Sequence, residues 1–178
     1  LARLESGRVQ FRKTRFCVAD LFYECKDVMA SKAQENDIQI RVESPEGMPL
    51  LDADRDKIKQ VLLNLLSNAI KYNRPNGTVM LRAEVLEKEI VLYIQDTGLG
   101  IPDEALAHLF EKFFLVREHE SRVAGTGLGL SIGKQSIHGH GGRIEVKSKI
   151  SVGTVFSVYL PYSGQTPPRL DDSAETKN

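Results

Sequence analysis

The spacing of hydrophobic residues along the chain predicts four helices. The most regular pattern places apolar residues three and one positions apart in turn: Ile58, Val61, Leu62, Leu65, Leu66, Ala69 and Ile70. This spacing forms one apolar stripe on a helix, for which Asp52 or Asp54 is a suitable N-cap and Tyr72 lies near the end. The same period predicts further helices over residues 18–35, 103–109 and 128–138.

Strands are predicted where apolar and polar residues alternate. The alternating segments are 38–42, 78–86, 89–95, 143–148 and 153–160, with a possible edge strand at 9–11. The last four of the longer segments form two pairs joined by short turns, which is typical of antiparallel hairpins and excludes an all-parallel sheet. We therefore predict an α+β fold, a two-layer α/β sandwich with helices on one face of a mixed, mainly antiparallel sheet.

The ends of the chain differ in composition from the middle. Residues 1–7 have the pattern of the last turns of an upstream helix, and residues 162–178 are rich in Ser, Thr, Pro and acidic residues, as disordered tails are. We therefore expect one folded domain over residues 8–161 in a fragment of a longer protein. No segment approaches the roughly 20 apolar residues that span a bilayer, so we expect a cytoplasmic domain without direct membrane contact, which a membrane-anchored sensor could carry.

Charge and cysteine content exclude two classes of protein. The 24 basic residues are balanced by 24 acidic ones, whereas proteins that bind nucleic acid usually have a basic excess. The two cysteines, Cys17 and Cys25, are too few for a disulfide framework and lack the spacing of a zinc site. We expect both to be free thiols.

Four polar residues lie beside the apolar stripe of the longest helix: Asn64, Asn68, Lys71 and Tyr72. At about 100° per residue, the two asparagines and the lysine lie close to one line along the helix. Carboxamide oxygens suit Mg²⁺, an ammonium group can neutralise phosphate, and a phenol can lie beside a base or ribose. The alternative, that all four are ordinary solvent-exposed residues, stays open on this helix alone.

Two glycine-rich loops add further candidate chemistry. Asp96 ends a strand before Gly98 and Gly100, so its carboxylate can accept a hydrogen bond from an amine such as that of adenine. The segment 125–129 (Gly-Thr-Gly-Leu-Gly) opens a helix, where backbone N–H groups and the helix dipole can bind a polyphosphate. It has neither the P-loop nor the Rossmann spacing. Each loop taken singly is also compatible with an ordinary turn.

Together and in this order, these motifs resemble those of the sensor histidine kinases. The corresponding segments are 64–72 for the asparagine box, 96–102 and 125–130 for the two glycine boxes, 110–114 for the phenylalanine box, and 140–142 and 153–161 for the closing segments. The resemblance covers about residues 8–161. It implies the Bergerat ATP-binding fold, which gyrase, heat-shock chaperone ATPases and mismatch-repair ATPases share.

The resemblance implies a role for each candidate residue. Asn68 would hold Mg²⁺ with Asn64 close by, and Asn64 and Lys71 would serve the phosphoryl transfer. Asp96 would recognise the adenine amine, and the segment 103–124 would form a lid over ATP. The implied ATP-binding residues are Asn68, Lys71, Tyr72, Asp96, Gly98, Gly100, Ile101, Gly125, Thr126, Gly127, Leu128 and Gly129.

The residue at position 64 favours one reaction on this fold. The related ATPases have a glutamate there that activates water, and asparagine is no general base near neutral pH. The other groups suit the positioning of a transferring phosphoryl group. The chain has four histidines, His108, His119, His138 and His140. None lies in the acidic helical context that the family uses, since His119, although flanked by glutamates, falls in the lid. We therefore expect an acceptor histidine on an upstream dimerisation domain, and a response regulator as a further partner.

Leu115 departs from the family pattern. Many members have an arginine there that reaches the γ-phosphate, and Arg117 or Arg122 could replace it from the lid. This departure keeps a second function open, a degenerate kinase that binds ATP as a regulatory module. A serine kinase of the anti-sigma type and an ATPase are further alternatives, the latter disfavoured by Asn64.

Overall fold

The computed structural model describes residues 9–116 and 126–164. Along these two ranges the elements are β1 Thr14–Phe16, α1 Val18–Glu35, β2 Gln39–Glu43, β3 Leu51–Ala53, α2 Arg55–Lys71, β4 Thr78–Val85, β5 Glu89–Asp96, α3 Asp103–Leu106, α4 Gly129–Gly139, β6 Arg143–Lys149 and β7 Gly153–Pro161.

The main sheet has five strands in the order β2-β4-β5-β7-β6. The strand pairs β4–β5, β5–β7 and β6–β7 are antiparallel, whereas β2 lies parallel to β4. The two predicted hairpins, the mixed sheet and the α+β class are therefore confirmed. Alternate residues of β4, including Val79 and Leu81, are buried. They pack with α1, α2 and α4, which carry the other half of the core.

A second, two-stranded sheet joins β1 and β3 in antiparallel register. Neither strand was predicted, because three residues are too few to display an alternating pattern. The edge strand predicted at 9–11 is wrong, since residues 9–13 form no regular element. The aromatic residue of that segment, Phe11, instead packs against the ring of His140, with the ring planes tilted by 38° and a centroid distance of 4.1 Å.

Helix α2 forms where the apolar stripe predicted it. Of the two candidate caps, Asp54 is the one used: its Oδ1 accepts a hydrogen bond from the Lys57 backbone N–H at 3.2 Å. Its Oδ2 accepts another from the Arg12 backbone N–H at 3.0 Å, which attaches the N-terminal segment to the start of the helix. The stripe residues from Ile58 to Ile70 are all buried, so the polar line of the helix is left to face outward from the core.

The remaining helices agree with the predictions in position. Helix α1 has the predicted bounds and α4 is shifted by one residue, but α3 ends at Leu106, three residues earlier than predicted. Residues 117–125, which include the last part of the predicted lid, lie outside the described residues, as do 1–8 and 165–178. The predicted domain boundaries remain predictions. Across the described ranges, none of the helices combines the length and the apolar character needed to span a bilayer.

Candidate active site

One cavity of about 260 Å³ lies between α2, the end of β5, the start of α4 and the start of β7. Its lining includes ten of the twelve described residues predicted for the site: Asn64, Asn68, Lys71, Tyr72, Asp96, Gly100, Ile101, Thr126, Gly127 and Gly129. Gly98 and Leu128 lie next to lining residues but do not line the cavity themselves. Gly125 lies outside the described residues, as do Arg117, Arg122 and His119.

The two asparagines face the cavity from the polar line of α2. Among the described residues, no group is hydrogen-bonded to either carboxamide, so their oxygens are available to a ligand. Asn64 also touches the start of α4: a Cβ atom at Gly129 would lie 2.4 Å from its Oδ1. Only glycine at position 129 lets α4 approach α2 this closely without displacing Asn64.

Lys71 and Tyr72 form the end of α2 and line the same cavity. The Lys71 Nζ lies 5.3 Å from the centroid of the Tyr72 ring, within the range of a cation–π interaction. Burial lowers the pKa of Lys71, and repulsion from Lys32 lowers it further. Burial also raises the pKa of Tyr72. The pair therefore offers a positive charge next to an uncharged aromatic face.

Asp96 ends β5 with its carboxylate in the cavity. Its Oδ1 accepts hydrogen bonds from the backbone N–H groups of Gly98 at 2.8 Å and Thr154 at 3.2 Å. Burial nevertheless raises the pKa of Asp96 to about 6, because desolvation outweighs these two bonds. Both bonds end on Oδ1, and within the described ranges no group donates to Oδ2. That oxygen can therefore accept a hydrogen bond from a ligand.

Gly98 is a packing residue beneath the cavity. A Cβ atom at this position would lie 2.4 Å from the backbone oxygen of Tyr72. The Leu99 N–H donates to the same oxygen at 3.0 Å. The first glycine loop thereby closes the C-terminal end of α2. Gly98 therefore helps to position Tyr72 and Asp96 and does not itself line the cavity.

Gly100 and Ile101 attach this loop to the hairpin of β6 and β7. Gly100 has a φ of +74°, and a Cβ atom there would lie 2.2 Å from the Lys149 backbone oxygen. The Ile101 N–H donates to Ser148 Oγ at 2.8 Å, and Ser148 Oγ lies 2.7 Å from Thr154 Oγ1. One side of the cavity is thus held by hydrogen bonds between three separate segments.

The second glycine segment is fixed against the phenylalanine box. The Phe113 N–H donates to the backbone oxygen of Gly127 at 2.9 Å. Gly127 has a φ of +68°, and a Cβ atom there would lie 2.7 Å from Phe113 Cα. Thr126 Oγ1 accepts a hydrogen bond from the Leu128 N–H at 3.4 Å, directly before α4 begins at Gly129. The hydrogen bond between Phe113 and Gly127 therefore joins the two residues on either side of the segment 114–126.

Several lining residues were not predicted. They are Ser67, Ala69, Leu109, Phe114, Leu115, Val116, Leu130, Thr154 and Phe156. The apolar members could not be distinguished from core residues by their pattern. Thr154 had one usable signal, a hydroxyl next to a glycine in the closing segment 153–161. The hydrogen bond from its backbone N–H to Asp96 spans 58 positions, so the local spacing of residues could not predict it.

The described histidines lie away from the cavity or are held by other groups. His108 is exposed and contacts Glu111, and His138 is exposed on α4. His140 is buried: its Nε2 accepts from the Asp54 N–H at 3.0 Å, and its Nδ1 donates to the Ser136 oxygen at 2.7 Å. This arrangement requires the neutral ring and is structural.

The chain matches the family model for the "Histidine kinase-, DNA gyrase B-, and HSP90-like ATPase" over residues 53–164. It therefore belongs to this family of ATP-binding domains. Within the family it is a catalytic domain of the histidine kinase type, because its relatives and the solved structures similar to it are histidine kinases or catalytic domains of histidine kinases.

Among its curated relatives are the circadian input-output histidine kinases CikA. The identity is 37% to CikA of Thermosynechococcus vestitus and 34% to CikA of Synechococcus elongatus, each over 164 residues. These alignments cover 90% of this chain and 22% of each relative, so the chain spans about a fifth of their length.

The fold is shared with solved histidine kinases. Full-length ShkA in complex with AMPPNP superposes with a TM-score of 0.81 at 27% identity, covering 93% of this chain and 34% of ShkA. The catalytic domain of ThkA gives 0.74 at 31% identity, covering 85% and 98%. ThkA has also been solved with the response regulator TrrA, where the TM-score is 0.71 at 29% identity and the coverage is 85% and 42%.

Proposed function

We propose that this domain transfers the γ-phosphoryl group of Mg²⁺-ATP to a histidine on an upstream dimerisation domain. The supporting observation is the combination of Asn64 and Asn68 in the cavity with a single carboxylate, Asp96, among its described lining residues. Asp96 is engaged by the backbone of Gly98 and Thr154 at the far end of β5. No described lining residue is thus placed to activate water beside Asn64, and an external imidazole would be the nucleophile.

The cavity suits a nucleotide with its adenine at Asp96. Oδ2 of Asp96 would accept a hydrogen bond from the adenine amine, and the backbone of Gly100 and Ile101 would lie along the ring. The phosphates would extend toward Lys71, whose ammonium group would neutralise part of their charge. Tyr72 would contact the nucleotide between these two ends. ShkA, similar over nearly the whole chain, was crystallised with AMPPNP.

Mg²⁺ fits the chemistry of the residues on α2. Asn68 would hold the ion, with Asn64 beside it, through carboxamide oxygens that no described residue occupies. Two neutral ligands suit an ion that also keeps phosphate oxygens and water in its shell. The described residues contain no group of three acidic, histidine or cysteine side chains that could hold a metal alone. When bound, Mg²⁺ would supply neutralisation of the charge on the β- and γ-phosphates.

The further partners are proposed from the relatives. A response regulator would receive the phosphoryl group in turn, a proposal supported by the structure of ThkA with the response regulator TrrA. The acceptor histidine would be on the dimerisation domain, outside this chain. We also propose that the domain works in the cytoplasm, where ATP is available, and that it does not itself contact a membrane or nucleic acid.

One observation favours a second candidate function. Leu115 lines the cavity together with Phe114 and Val116, so an apolar wall occupies the place where many relatives have an arginine. A domain that binds ATP but transfers its γ-phosphoryl group poorly would act as a regulatory module. Binding and transfer must therefore be measured separately.

The experiment combines the domain with a separately produced dimerisation domain from the same protein and γ-radiolabelled ATP. We expect label on the dimerisation domain, none on this chain alone, and little release of free phosphate. Asn68→Ala should abolish transfer, with Asn36→Ala, an exposed asparagine at the end of α1, as the control. ATP binding without transfer would support the regulatory module, and rapid phosphate release would support an ATPase.

A further inference from the structure

Lys32 places a positive charge behind the wall of the cavity. It lies in the last turn of α1, and its Nζ donates a hydrogen bond to Ser67 Oγ at 2.5 Å. Ser67 itself lines the cavity on α2, one turn before Lys71. The contact joins residues 35 positions apart, and both side chains are half-buried. A residue of α1 is therefore connected to the cavity through a single hydroxyl group.

The cavity has few charges of its own. Along the described part of its lining, Lys71 is the one Lys or Arg residue and Asp96 the one carboxylate. Lys32 is close enough to Lys71 to lower its pKa by repulsion, after the larger effect of burial. Two positive charges near the same ligand each attract its negative charges. A ligand that carries several negative charges beside Ser67 and Lys71 would therefore be attracted by Lys32 as well as by Lys71.

We propose that Lys32 is a specificity-determining residue that makes the site select nucleotides by their number of phosphates. Its charge, held in place by Ser67, raises the affinity for a nucleoside triphosphate more than for a diphosphate, and leaves the affinity for adenosine unchanged. The proposal rests on the nucleotide site proposed above, and it adds a residue from α1 to a site built from α2 and the glycine loops.

A purely structural role for Lys32 makes a different prediction. A lysine in the last turn of a helix interacts favourably with the helix dipole, and its removal lowers stability. That loss would affect every ligand of the site alike, because it does not depend on the charge of the ligand. The number of phosphates is therefore the variable that separates the two roles.

The test is calorimetric binding of ATP, ADP and adenosine to the wild type, Lys32→Gln and Lys32→Arg, at low ionic strength. We expect Lys32→Gln to weaken ATP binding about threefold to tenfold, ADP binding less, and adenosine binding not at all, since a charge near a polyphosphate acts in proportion to its charge. Lys32→Arg should keep the preference. Lys26→Gln is the matched control, because it removes a lysine of the same helix that does not act on Lys71.

Ser67→Ala removes the hydrogen-bond acceptor that holds the ammonium group but keeps the charge, and we expect a preference for ATP between that of the wild type and that of Lys32→Gln. An equal loss for all three ligands in Lys32→Gln, or no loss, would overturn the inference while leaving the nucleotide site intact. A preference in Ser67→Ala lower than that in Lys32→Gln would contradict the electrostatic basis of the inference. A folded wild type that binds none of the ligands would overturn the proposed function and this inference together.

Discussion

The side chain of Asn64 in the middle of α2 occupies the space that a side chain on Gly129 at the start of α4 would need. A Cβ atom at position 129 would lie 2.4 Å from Asn64 Oδ1 and 2.6 Å from Nδ2. The carboxamide is therefore positioned by the backbone of another helix. The second glycine motif shapes the site through this contact as well as through any contact with phosphate.

Gly129→Ala should consequently impair phosphoryl transfer by displacing Asn64. We expect the transfer rate to fall about 10- to 100-fold, because small displacements of reacting groups have effects of this size, while adenosine binding stays the same. Gly133→Ala is a matched control on the same helix, since its Cβ atom would meet only Val61 at an ordinary 3.7 Å. Equal losses in the two variants would mean that α4, and not Asn64, was disturbed.

Asp96 makes nucleotide binding depend on pH. Its carboxylate, whose pKa is about 6, must be ionised to leave Oδ2 free to accept from the adenine amine. We expect the affinity for ATP to fall as the pH drops through about 6. Well below that pH, each further unit should lower the affinity about tenfold. Titration of the affinity between roughly pH 5 and 8 measures this effect. A wild-type profile as flat as that of Asp96→Asn would contradict it.

The same shift has the opposite sign for stability. The folded-state pKa of Asp96 lies above the ordinary value of 3.8 for an aspartate, so the folded protein binds this proton more tightly than the unfolded chain does. The contribution of Asp96 to the free energy of unfolding is therefore fully present below pH 3.8 and is lost as the pH rises through about 6. Relative to wild type, Asp96→Asn should gain stability between these pH values. Denaturant unfolding at several pH values would detect it.

Gly127 combines a left-handed backbone with a close contact. In Gly127→Ala the new Cβ would lie 2.7 Å from Phe113 Cα at a φ of +68°. We expect a loss of stability of about 2 kcal/mol or more, together with weaker ATP binding. Gly47→Ala is the control, since Gly47 has a similar φ of +69° with no atom within 4 Å of its Cβ. If both variants lose the same amount in thermal unfolding, the contact with Phe113 is unimportant.

His140 should be required for stability but not for catalysis. His140→Ala removes the acceptor of the Asp54 N–H and the donor to the Ser136 oxygen, and we expect it to cost about 1–3 kcal/mol of unfolding free energy. The affinity of the folded protein for ATP should not change. His138→Ala, which alters an exposed histidine of the same helix, should be neutral. Phosphoryl label on His140 in any preparation would refute the structural role.

Helix α2 shows what could be predicted from the sequence. Its apolar stripe and its polar line are both local patterns, so the helix, its burial and the outward direction of Asn64, Asn68 and Lys71 could all be inferred. The two hairpins were predictable for the same reason. The parallel pairing of β2 with β4 was not, because alternation reveals a strand but not its neighbour.

The contacts that complete the site join residues that are far apart in the sequence. Thr154 donates to Asp96 across 58 positions, and Lys32 reaches Ser67 across 35. Both Thr154 and Lys32 are ordinary residues in their own segments, and only the folded sheet and the packing of α1 on α2 bring them to the cavity. The sequence predicted the residues that make up motifs, and it missed those that support them.

The double use of Asp54 has a mechanical consequence. The carboxylate of Asp54 caps α2 and accepts a hydrogen bond from the backbone of Arg12. The backbone N–H of Asp54 donates to the ring of His140 at the end of α4. Phe11 packs against the same ring. A pull on the chain at Phe11 and Arg12 is therefore transmitted to the start of α2 and the end of α4, whereas the cavity is lined by the opposite ends of these two helices. Such a pull would reach the site by shifting α2 and α4 as whole helices.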